Sequence, residues 1–323
     1  MFVLGIDGGG TKTTGVIADE DGRVVAHYTV GATNFNGSNE RVVESQLLKL
    51  FNELKSQNKN SFNEIEFVFL GMAGAGRNHT QQILTKIVRR IVGNHIPFHI
   101  DHDAVNALYS GTLGRPGVVS IAGTGSICFG INSAGERDRV GGWGYLLEDT
   151  GSGYEIGRQA LIQIFAEFDE NKTKSILTSL ILRHFKVDQI TDLLPQIYEP
   201  GQAKRVIAPL CELVFLAADR GDSGAKEILV KSASVTANNL LLLINKLFQD
   251  ETSIQIPVIL TGGVYKRVDW FLPIIKKQLS GKGDVIVPTV SPVAGALVGA
   301  FQCAGVPVSE PFIDNLIAAG LIK

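Results

Sequence analysis

Residues 6–12 read Ile-Asp-Gly-Gly-Gly-Thr-Lys and follow the apolar run Phe2–Leu4. Residues 119–127, Val-Ser-Ile-Ala-Gly-Thr-Gly-Ser-Ile, repeat the design of an apolar strand, a glycine-rich turn with one threonine, and a second apolar strand. Because glycine has no Cβ, the backbone of such a turn can approach a bulky anion and point N–H groups at it. Two such loops in one chain predict a cleft that binds a polyphosphate from both sides.

The resemblance between the two stretches continues beyond the loops. Eleven residues separate Thr11 from the turn glycine Gly22 (22 − 11), and eleven separate Thr124 from Gly135 (135 − 124). The first turn carries an Asp-Gly pair between apolar runs, which is typical of a β-hairpin. We therefore predict that each loop leads into a hairpin and that the unit is duplicated.

Composition limits the class of protein. The chain has 323 residues, of which 45% are hydrophobic and 19% charged, enough for two domains with substantial cores. A net charge of −2 gives no electrostatic reason to expect a nucleic acid or a membrane as partner. Cys128, Cys211 and Cys303 are too far apart for a zinc or iron–sulfur motif. With no basic region at the N-terminus to suggest a signal peptide, we expect a cytoplasmic protein.

Alternating helical and strand-like segments predict an α/β plan. The Gly/Pro-rich stretch 111–117 predicts a hinge, with an N-terminal domain over residues 1–116 and a C-terminal domain over residues 117–323. The second domain should contain a helical insertion between about Glu155 and Leu247. A last long helix, opened by Pro292, is expected to pack back on the first domain.

Several further motifs accompany the two loops. They are Thr33-Asn34, Asp103-Ala104, Gly141-Gly142-Trp143-Gly144, Asp149-Thr150-Gly151-Ser152, Gly262-Gly263 and Gly295-Ala296. In this order and approximate spacing, the chain resembles the N-acetylglucosamine kinase family, among the sugar kinases of the actin-like, hexokinase and Hsp70 ATPase superfamily. The resemblance extends from Ile6 to about Gly299.

The resemblance implies a fold of two actin-like ATPase (ribonuclease H-like) domains around a central cleft. It also implies ATP-dependent phosphorylation of the 6-hydroxyl of N-acetylglucosamine or a related amino sugar, with Mg²⁺ as cofactor. The partner would be a small sugar, and a homodimer is left open. The implied nucleotide and phosphate site comprises Gly8, Gly9, Gly10, Thr11, Lys12, Gly123, Thr124, Gly125, Gly262, Gly263 and Gly295.

Two aspartates have the chemistry that phosphoryl transfer needs. Asp7 would hold Mg²⁺ through water, since Mg²⁺ keeps much of its hydration shell. Asp103, at the end of a predicted strand, is the candidate general base for the sugar hydroxyl. Asp101 and His102 compete with it on spacing alone, and strand alternation could place Asp101 and Asp103 on one face; the resemblance selects Asp103.

By the same resemblance, the sugar site would consist of Asn34, Gly74, Asp103, Trp143 and Asp149, with the role of Glu148 left open. A core position is an equal alternative for Trp143. Glucosamine, N-acetylmuramic acid and glucose remain alternative acceptors. An activator ATPase of 2-hydroxyacyl-CoA dehydratases shares the fold but requires clustered cysteine ligands for an iron–sulfur cluster.

Overall fold

The structure is a computed structural model, and it describes residues 1–35, 39–249, 255–309 and 311–321. Within these ranges the chain forms two compact units. The first comprises residues 1–115 together with 287–323, and the second comprises residues 116–286. The sequence instead predicts a second domain over the whole of residues 117–323, with the last long helix packing back on the first domain.

The elements follow the chain in this order. The strands are β1 (Phe2–Gly8), β2 (Lys12–Asp19), β3 (Val24–Gly31), β4 (Ile65–Met72), β5 (Phe98–His102), β6 (Gly117–Ala122), β7 (Ser126–Ile131), β8 (Arg137–Val140), β9 (Ile256–Thr261) and β10 (Gly283–Ile286). The helices are α1 (Glu40–Gln57), α2 (Lys59–Asn63), α3 (Asn78–Val92), α4 (Asp103–Thr112), α5 (Gly153–Asp169), α6 (Ile176–Phe185), α7 (Leu194–Ile197), α8 (Ala203–Ile207), α9 (Leu210–Asp219), α10 (Ser223–Leu247), α11 (Leu272–Leu279), α12 (Pro292–Cys303) and α13 (Phe312–Ala318). Two 3₁₀ segments, Ile190–Leu193 and Gly263–Trp270, lie between them.

Each unit is built on a five-stranded sheet, and the two sheets have the same plan. The first has the order β3-β2-β1-β4-β5 and the second has the order β10-β9-β6-β7-β8. In each, three antiparallel strands are followed by two strands parallel to the first of the three. The glycine loops 9–11 and 123–125 join the first and second strands of their sheets. The predicted duplication and the α/β fold class are confirmed.

The first sheet is covered on both faces, which explains why β1 is apolar along most of its length. Leu4 and Ile6 lie in the hydrophobic cluster that also contains the buried face of α1. Gly5 points to the opposite face, where a Cβ would come within 2.6 Å of the backbone nitrogen of Leu297 in α12. Asp7 follows Gly5 by two residues, so it shares that face.

The helix α12 packs against α4 and β1, and small residues make this close approach possible. A Cβ at Gly295 would overlap the carbonyl oxygen of Asn106 in α4, and a Cβ at Gly71 in β4 would overlap the Asn106 amide. The segment after β10 thus completes the core of the unit that contains the N-terminus.

In the second unit, residues 153–247 form six helices and one 3₁₀ segment, where the sequence predicted a broken helical region. The helix α10 is long and apolar enough, by length and composition, to cross a membrane. Its buried residues, among them Leu229, Ala233 and Leu240, face the core of the unit, where α10 packs on α5, α9, α11 and the sheet. The packing of these residues inside the unit accounts for the apolar composition of α10.

Candidate active site

The candidate residues of the first unit surround the loop between β1 and β2. The backbone N–H of Gly9 donates to the carbonyl of Lys12 at 2.9 Å, and the carbonyl of Gly9 accepts from the N–H of Thr33 at 3.3 Å. A Cβ at Gly10 would lie 2.9 Å from Nδ2 of Asn34. The structure therefore brings the predicted sugar residue Asn34 against the first glycine loop. Thr11 and Lys12 are exposed beside it.

Asp7 ends the buried part of β1, just before this loop. Its Oδ1 accepts a hydrogen bond of 2.8 Å from Nδ2 of Asn106. Burial raises the pKa of Asp7 to about 6, while the Asn106 hydrogen bond opposes that rise. The negative charge of Asp103 also raises this pKa, and the positive charge of Lys12 lowers it. A desolvated carboxylate beside a phosphate-type loop is a place where a cation would be stabilised, so the residues fit Mg²⁺.

Asn106 was missed by the sequence analysis. It is fully buried in α4, and its Nδ2 also lies 3.3 Å from the carbonyl of Ile6 and 3.2 Å from that of Gly71. It therefore connects α4 to β1 and β4 at the level of Asp7. A glycine inside the buried run Phe-Leu-Gly-Met was the signal that could have indicated it, because the Asn106 amide occupies the space of a Cβ at Gly71.

The three candidate bases occupy different positions at the end of β5. Asp101 is 8% exposed; its Oδ1 accepts from the N–H of His102 at 2.7 Å, and its Oδ2 lies 3.4 Å from Nε2 of His99. Asp103 is the first residue of α4 and is half-buried. The strand ends at His102, so Asp101 and Asp103 do not alternate along one strand as the sequence suggested. The carboxylate of Asp103 has more access to a substrate than that of Asp101.

Two predicted site glycines that lie in the first unit, Gly74 of the sugar site and Gly295 of the nucleotide site, have different surroundings. Gly74 has a φ of 84° and no atom within 4 Å of the position of a Cβ, so its backbone borders open space. Gly295 is buried in α12 against Asn106, which explains the glycine by helix packing. Contact between Gly295 and a nucleotide stays a prediction.

The candidate residues of the second unit surround the loop between β6 and β7. The N–H of Gly123 donates to the carbonyl of Gly125 at 2.9 Å, which folds the loop tightly. Oδ1 of Asp149 accepts from the N–H of Ser126 at 2.7 Å, so this carboxylate supports the loop directly. Asp149 is 6% exposed, burial raises its pKa, and its Oδ2 has no hydrogen-bond partner in the described residues. Thr124, at the tip of the loop, is exposed.

Glu148 and Trp143 complete this region. Oε1 of Glu148 accepts from the N–H of Thr150 at 3.0 Å, and its Oε2 is buried without a partner among the described residues. Trp143 is 62% exposed, and the guanidinium of Arg139 lies 4.1 Å from its ring centre. Trp143 is thus an exposed residue of its unit, and the alternative of a core tryptophan is wrong.

Gly262 and Gly263 follow β9 and reach the second glycine loop. Gly262 has a φ of 112°, and a Cβ there would overlap the backbone of Ala122, the residue before Gly123. Only glycine fits this crossing of two backbones. Gly263 is exposed, with open space at the position of a Cβ. The structure therefore places both predicted nucleotide segments of the second unit side by side.

The cysteines have no ligand-like surroundings. Cys128 and Cys211 are buried, and burial raises the pKa of each thiol to about 12. Within the ranges that the structure describes, no three His, Cys, Asp or Glu side chains form a group able to hold a metal ion. A thiol with such a pKa is protonated at neutral pH and is a poor cluster ligand.

Comparisons with known proteins identify the class. Residues 4–304 match the model of the BadF/BadG/BcrA/BcrD ATPase family. An N-acetylmuramic acid/N-acetylglucosamine kinase of Clostridium acetobutylicum is 34% identical over 281 residues, which are 86% of this chain and 90% of the relative. An N-acetyl-D-glucosamine kinase of Dictyostelium discoideum is 32% identical over 305 residues, which are 91% of this chain and 95% of the relative.

The chain belongs to the BadF/BadG/BcrA/BcrD ATPase family, and within it to the relatives of N-acetylglucosamine kinases. The fold agrees: a candidate N-acetylglucosamine kinase from Chromobacterium violaceum superposes with a TM-score of 0.70 at 23% identity, covering 92% of this chain and 98% of that one. The predicted sugar-kinase family, and ATP as its nucleotide, are confirmed at the level of the family.

Proposed function

We propose that this protein transfers the γ-phosphoryl group of ATP to the 6-hydroxyl of N-acetylglucosamine or a closely related amino sugar. The observation that carries the proposal is the pair of duplicated glycine loops, with a partly buried carboxylate beside the first and a buried one beside the second. Asp7 adjoins the first loop, and Asp149 hydrogen-bonds the second. Phosphoryl transfer depends on positioning and charge neutralisation, which backbone N–H groups and a metal-bound carboxylate provide.

In the first unit, Gly8, Gly9, Gly10, Thr11 and Lys12 would contact the β- and γ-phosphates. Asp7 would hold Mg²⁺, and Mg²⁺ would neutralise the charge of the phosphates. Asp103 would accept the proton of the attacking hydroxyl, since it is more accessible than Asp101. Asn34 and Gly74 would bind the sugar.

In the second unit, Gly123, Thr124 and Gly125 would contact the phosphates, and Gly262 and Gly263 the adenosine side. The unpartnered Oδ2 of Asp149 is a hydrogen-bond acceptor for a sugar hydroxyl, because a buried carboxylate oxygen without a partner is costly. Exposed Trp143 offers an aromatic face to the C–H groups of the ring. A net charge of only −2, three cysteines without a disulfide among the described residues and a small soluble substrate together support a cytoplasmic location.

The identity of the sugar rests on the relatives. Both act on N-acetylglucosamine by name, and the Clostridium acetobutylicum protein also on N-acetylmuramic acid. The methyl group of the acetamido substituent can contribute only about 1–3 kcal/mol to discrimination between substrates in a binding pocket. We therefore expect activity on glucosamine or glucose at lower efficiency.

The test is a panel of N-acetylglucosamine, N-acetylmuramic acid, glucosamine and glucose with the purified protein, ATP and Mg²⁺. ADP release gives kcat/KM for each sugar, and ³¹P–¹H NMR of the product locates the phosphate. A higher kcat/KM for glucose or glucosamine than for either acetamido sugar would contradict the substrate. A phosphate on the anomeric oxygen would contradict the role of Asp103.

The base is tested in the same assay. Asp103→Asn should lower kcat by about 100-fold or more, since general-base catalysis contributes about 10²–10⁴-fold. Asp101→Asn is the matched comparison, because Asp101 is two residues away and mostly buried. A larger loss in Asp101→Asn than in Asp103→Asn would exchange their roles.

A further inference from the structure

His102 stands between the end of β5 and the start of α4, next to the candidate base. It is the N-cap of α4, where its Nδ1 accepts a hydrogen bond of 3.1 Å from the N–H of Ala104. The same Nδ1 lies 2.9 Å from Oδ1 of Asp103. One ring nitrogen therefore has both a backbone donor and a carboxylate oxygen within hydrogen-bond distance.

These two contacts place opposite demands on Nδ1. The cap bond from Ala104 uses the lone pair of Nδ1, whereas a hydrogen bond to an ionised Asp103 carboxylate requires a proton on Nδ1. With the lone pair in place, Nδ1 caps α4 and can also accept a proton from the protonated carboxyl group of Asp103.

The surroundings hold the imidazole in this position. The carboxylate of Asp101 accepts from the backbone N–H of His102 at 2.7 Å, which fixes the turn from β5 into α4. On the other side, a Cβ at Gly76 would lie 3.3 Å from Cδ2 of the ring, so the backbone of that turn packs on it. The His102 side chain keeps 30% of its surface exposed, and that of Asp103 keeps 31%.

We propose that His102 is a positioning residue for Asp103 and the acceptor that returns it to the carboxylate form in each catalytic cycle. The inference rests on the proposed function, in which Asp103 is the general base. As the sugar oxygen bonds to the γ-phosphorus and the bond to the ADP oxygen breaks, the hydroxyl proton moves to Asp103. The O–H bond on Asp103 then breaks, its electron pair stays on the carboxylate, and the lone pair of Nδ1 takes the proton.

The cycle closes when the ring returns a proton to solvent. Imidazolium carries protons on both nitrogens, and the side chain of His102 keeps 30% of its surface exposed, so a proton can leave to water. Loss of the Nδ1 proton, directly or after exchange between the ring nitrogens, restores the lone pair that caps α4. The net product is one proton released to solvent for each sugar phosphate formed, and no further reactant is needed.

The experiment separates capping from proton transfer. Asn is among the best N-cap residues, so His102→Asn keeps an acceptor for the N–H of Ala104 but lacks a group that takes up a proton at neutral pH. Since a relay contributes less than the base, we expect a kcat about 10-fold lower, with KM for sugar and for MgATP changed by less than about twofold. His99→Asn, on the same strand, is the matched control and should keep its kcat.

Two further measurements exclude a merely structural effect. Added imidazole should restore kcat of His102→Ala at least about threefold, because a free base can occupy the vacated position. In the double variant His102→Asn with Asp103→Asn, kcat should equal that of Asp103→Asn alone, since residues that act as one unit are not additive.

The outcomes are distinguishable. Wild-type kcat in folded His102→Asn, absence of imidazole rescue, or additive losses in the double variant would each overturn the role of His102. If Asp103→Asn itself keeps its kcat, the proposed base is wrong and this inference falls with it. Thermal unfolding of every variant shows which are folded.

Discussion

The two glycine loops occupy equivalent places in two equivalent sheets, yet their carboxylates differ. Asp7 lies on the strand that enters the first loop and is held from α4 by Asn106. When the two loop threonines are aligned, Ser120 takes the place of Asp7, and its hydroxyl pairs with that of Tyr265 at 2.7 Å in the interior. The second loop receives its carboxylate, Asp149, from a distant segment instead.

The two carboxylates are held in different ways. Oδ1 of Asp7, beside the first loop, accepts from the Asn106 amide of α4. The second loop has a carboxylate whose one oxygen supports the loop and whose other oxygen is buried without a described partner. The two sheets have the same plan, but the carboxylates beside their glycine loops have different hydrogen-bond partners.

The largest expected effect comes from removing the charge at the first loop. Asp7→Asn should lower kcat/KM for MgATP by about 100–1,000-fold, because the phosphates lose the group that holds their metal. The sugar dissociation constant, measured by calorimetry, should change little. Ser120→Ala is the matched control in the other sheet, and we expect its kcat/KM to stay within about threefold of wild type. Equal losses in both variants would remove the distinction between the loops.

Substitution of Asp149, beside the second loop, should have a smaller effect, and that effect should be on the kinetics of the sugar. In Asp149→Asn one oxygen can still accept from the N–H of Ser126, but the second oxygen becomes an amide nitrogen. KM for the sugar should rise by about 10–100-fold, since a hydrogen bond to a charged group is worth about 1.5–3 kcal/mol. Kinetics at saturating MgATP measure it. A rise in KM for MgATP with unchanged KM for the sugar would assign Asp149 to the nucleotide.

The smallest effect concerns stability and has a defined pH window. The pKa of Asp7 rises from 3.8 to about 6 on folding, so between about pH 4 and pH 6 the folded state binds more protons than the unfolded state. Stability of the metal-free protein should therefore fall as pH rises through this window. Asp7→Asn should remove that dependence and stabilise the protein at pH 7.5 by about 1–3 kcal/mol, nearer the lower end because Asp7 keeps some exposed surface. Urea unfolding from pH 4 to 8 in EDTA measures it; a wild-type stability that rises across the window would contradict it.

Features with a local sequence pattern could be predicted from the sequence, and features that depend on contacts between distant residues could not. The glycine loops and their hairpins have short-range signals, so the sheets, Asp7 and Thr124 could be placed on their elements. Asp103 was predicted at the end of a strand and is instead the first residue of α4. The hydrogen bond between Asn106 and Asp7 joins residues 99 positions apart, and no periodicity encodes it. The last long helix was predicted to pack back on the first domain, and α12 does pack on β1 and α4. No local signal indicated that residues 287–291 and the segment after α12 belong to the same unit.

The exposure of Trp143 and the competition among Asp101, His102 and Asp103 were likewise left open. Side chains alternate between the two faces of a sheet only within a strand, and β5 ends at His102. Asp101 is buried and Asp103 is more accessible because of the turn from β5 into α4, where the N–H of His102 donates to Oδ1 of Asp101. A strand pattern does not predict the geometry of that turn.

The placement of α12 has a consequence for biosynthesis. The second unit is continuous over residues 116–286, whereas the first needs residues 287–323 in addition to 1–115. During translation the later-encoded unit can therefore fold as soon as it leaves the ribosome. One face of the N-terminal sheet is covered only in part, by α4, until roughly the last tenth of the chain emerges with α12. The unit that contains Asp7, proposed to hold the metal, and Asp103, proposed to accept the hydroxyl proton, would thus be completed last. A prematurely terminated chain would have a complete second unit and an incomplete first unit.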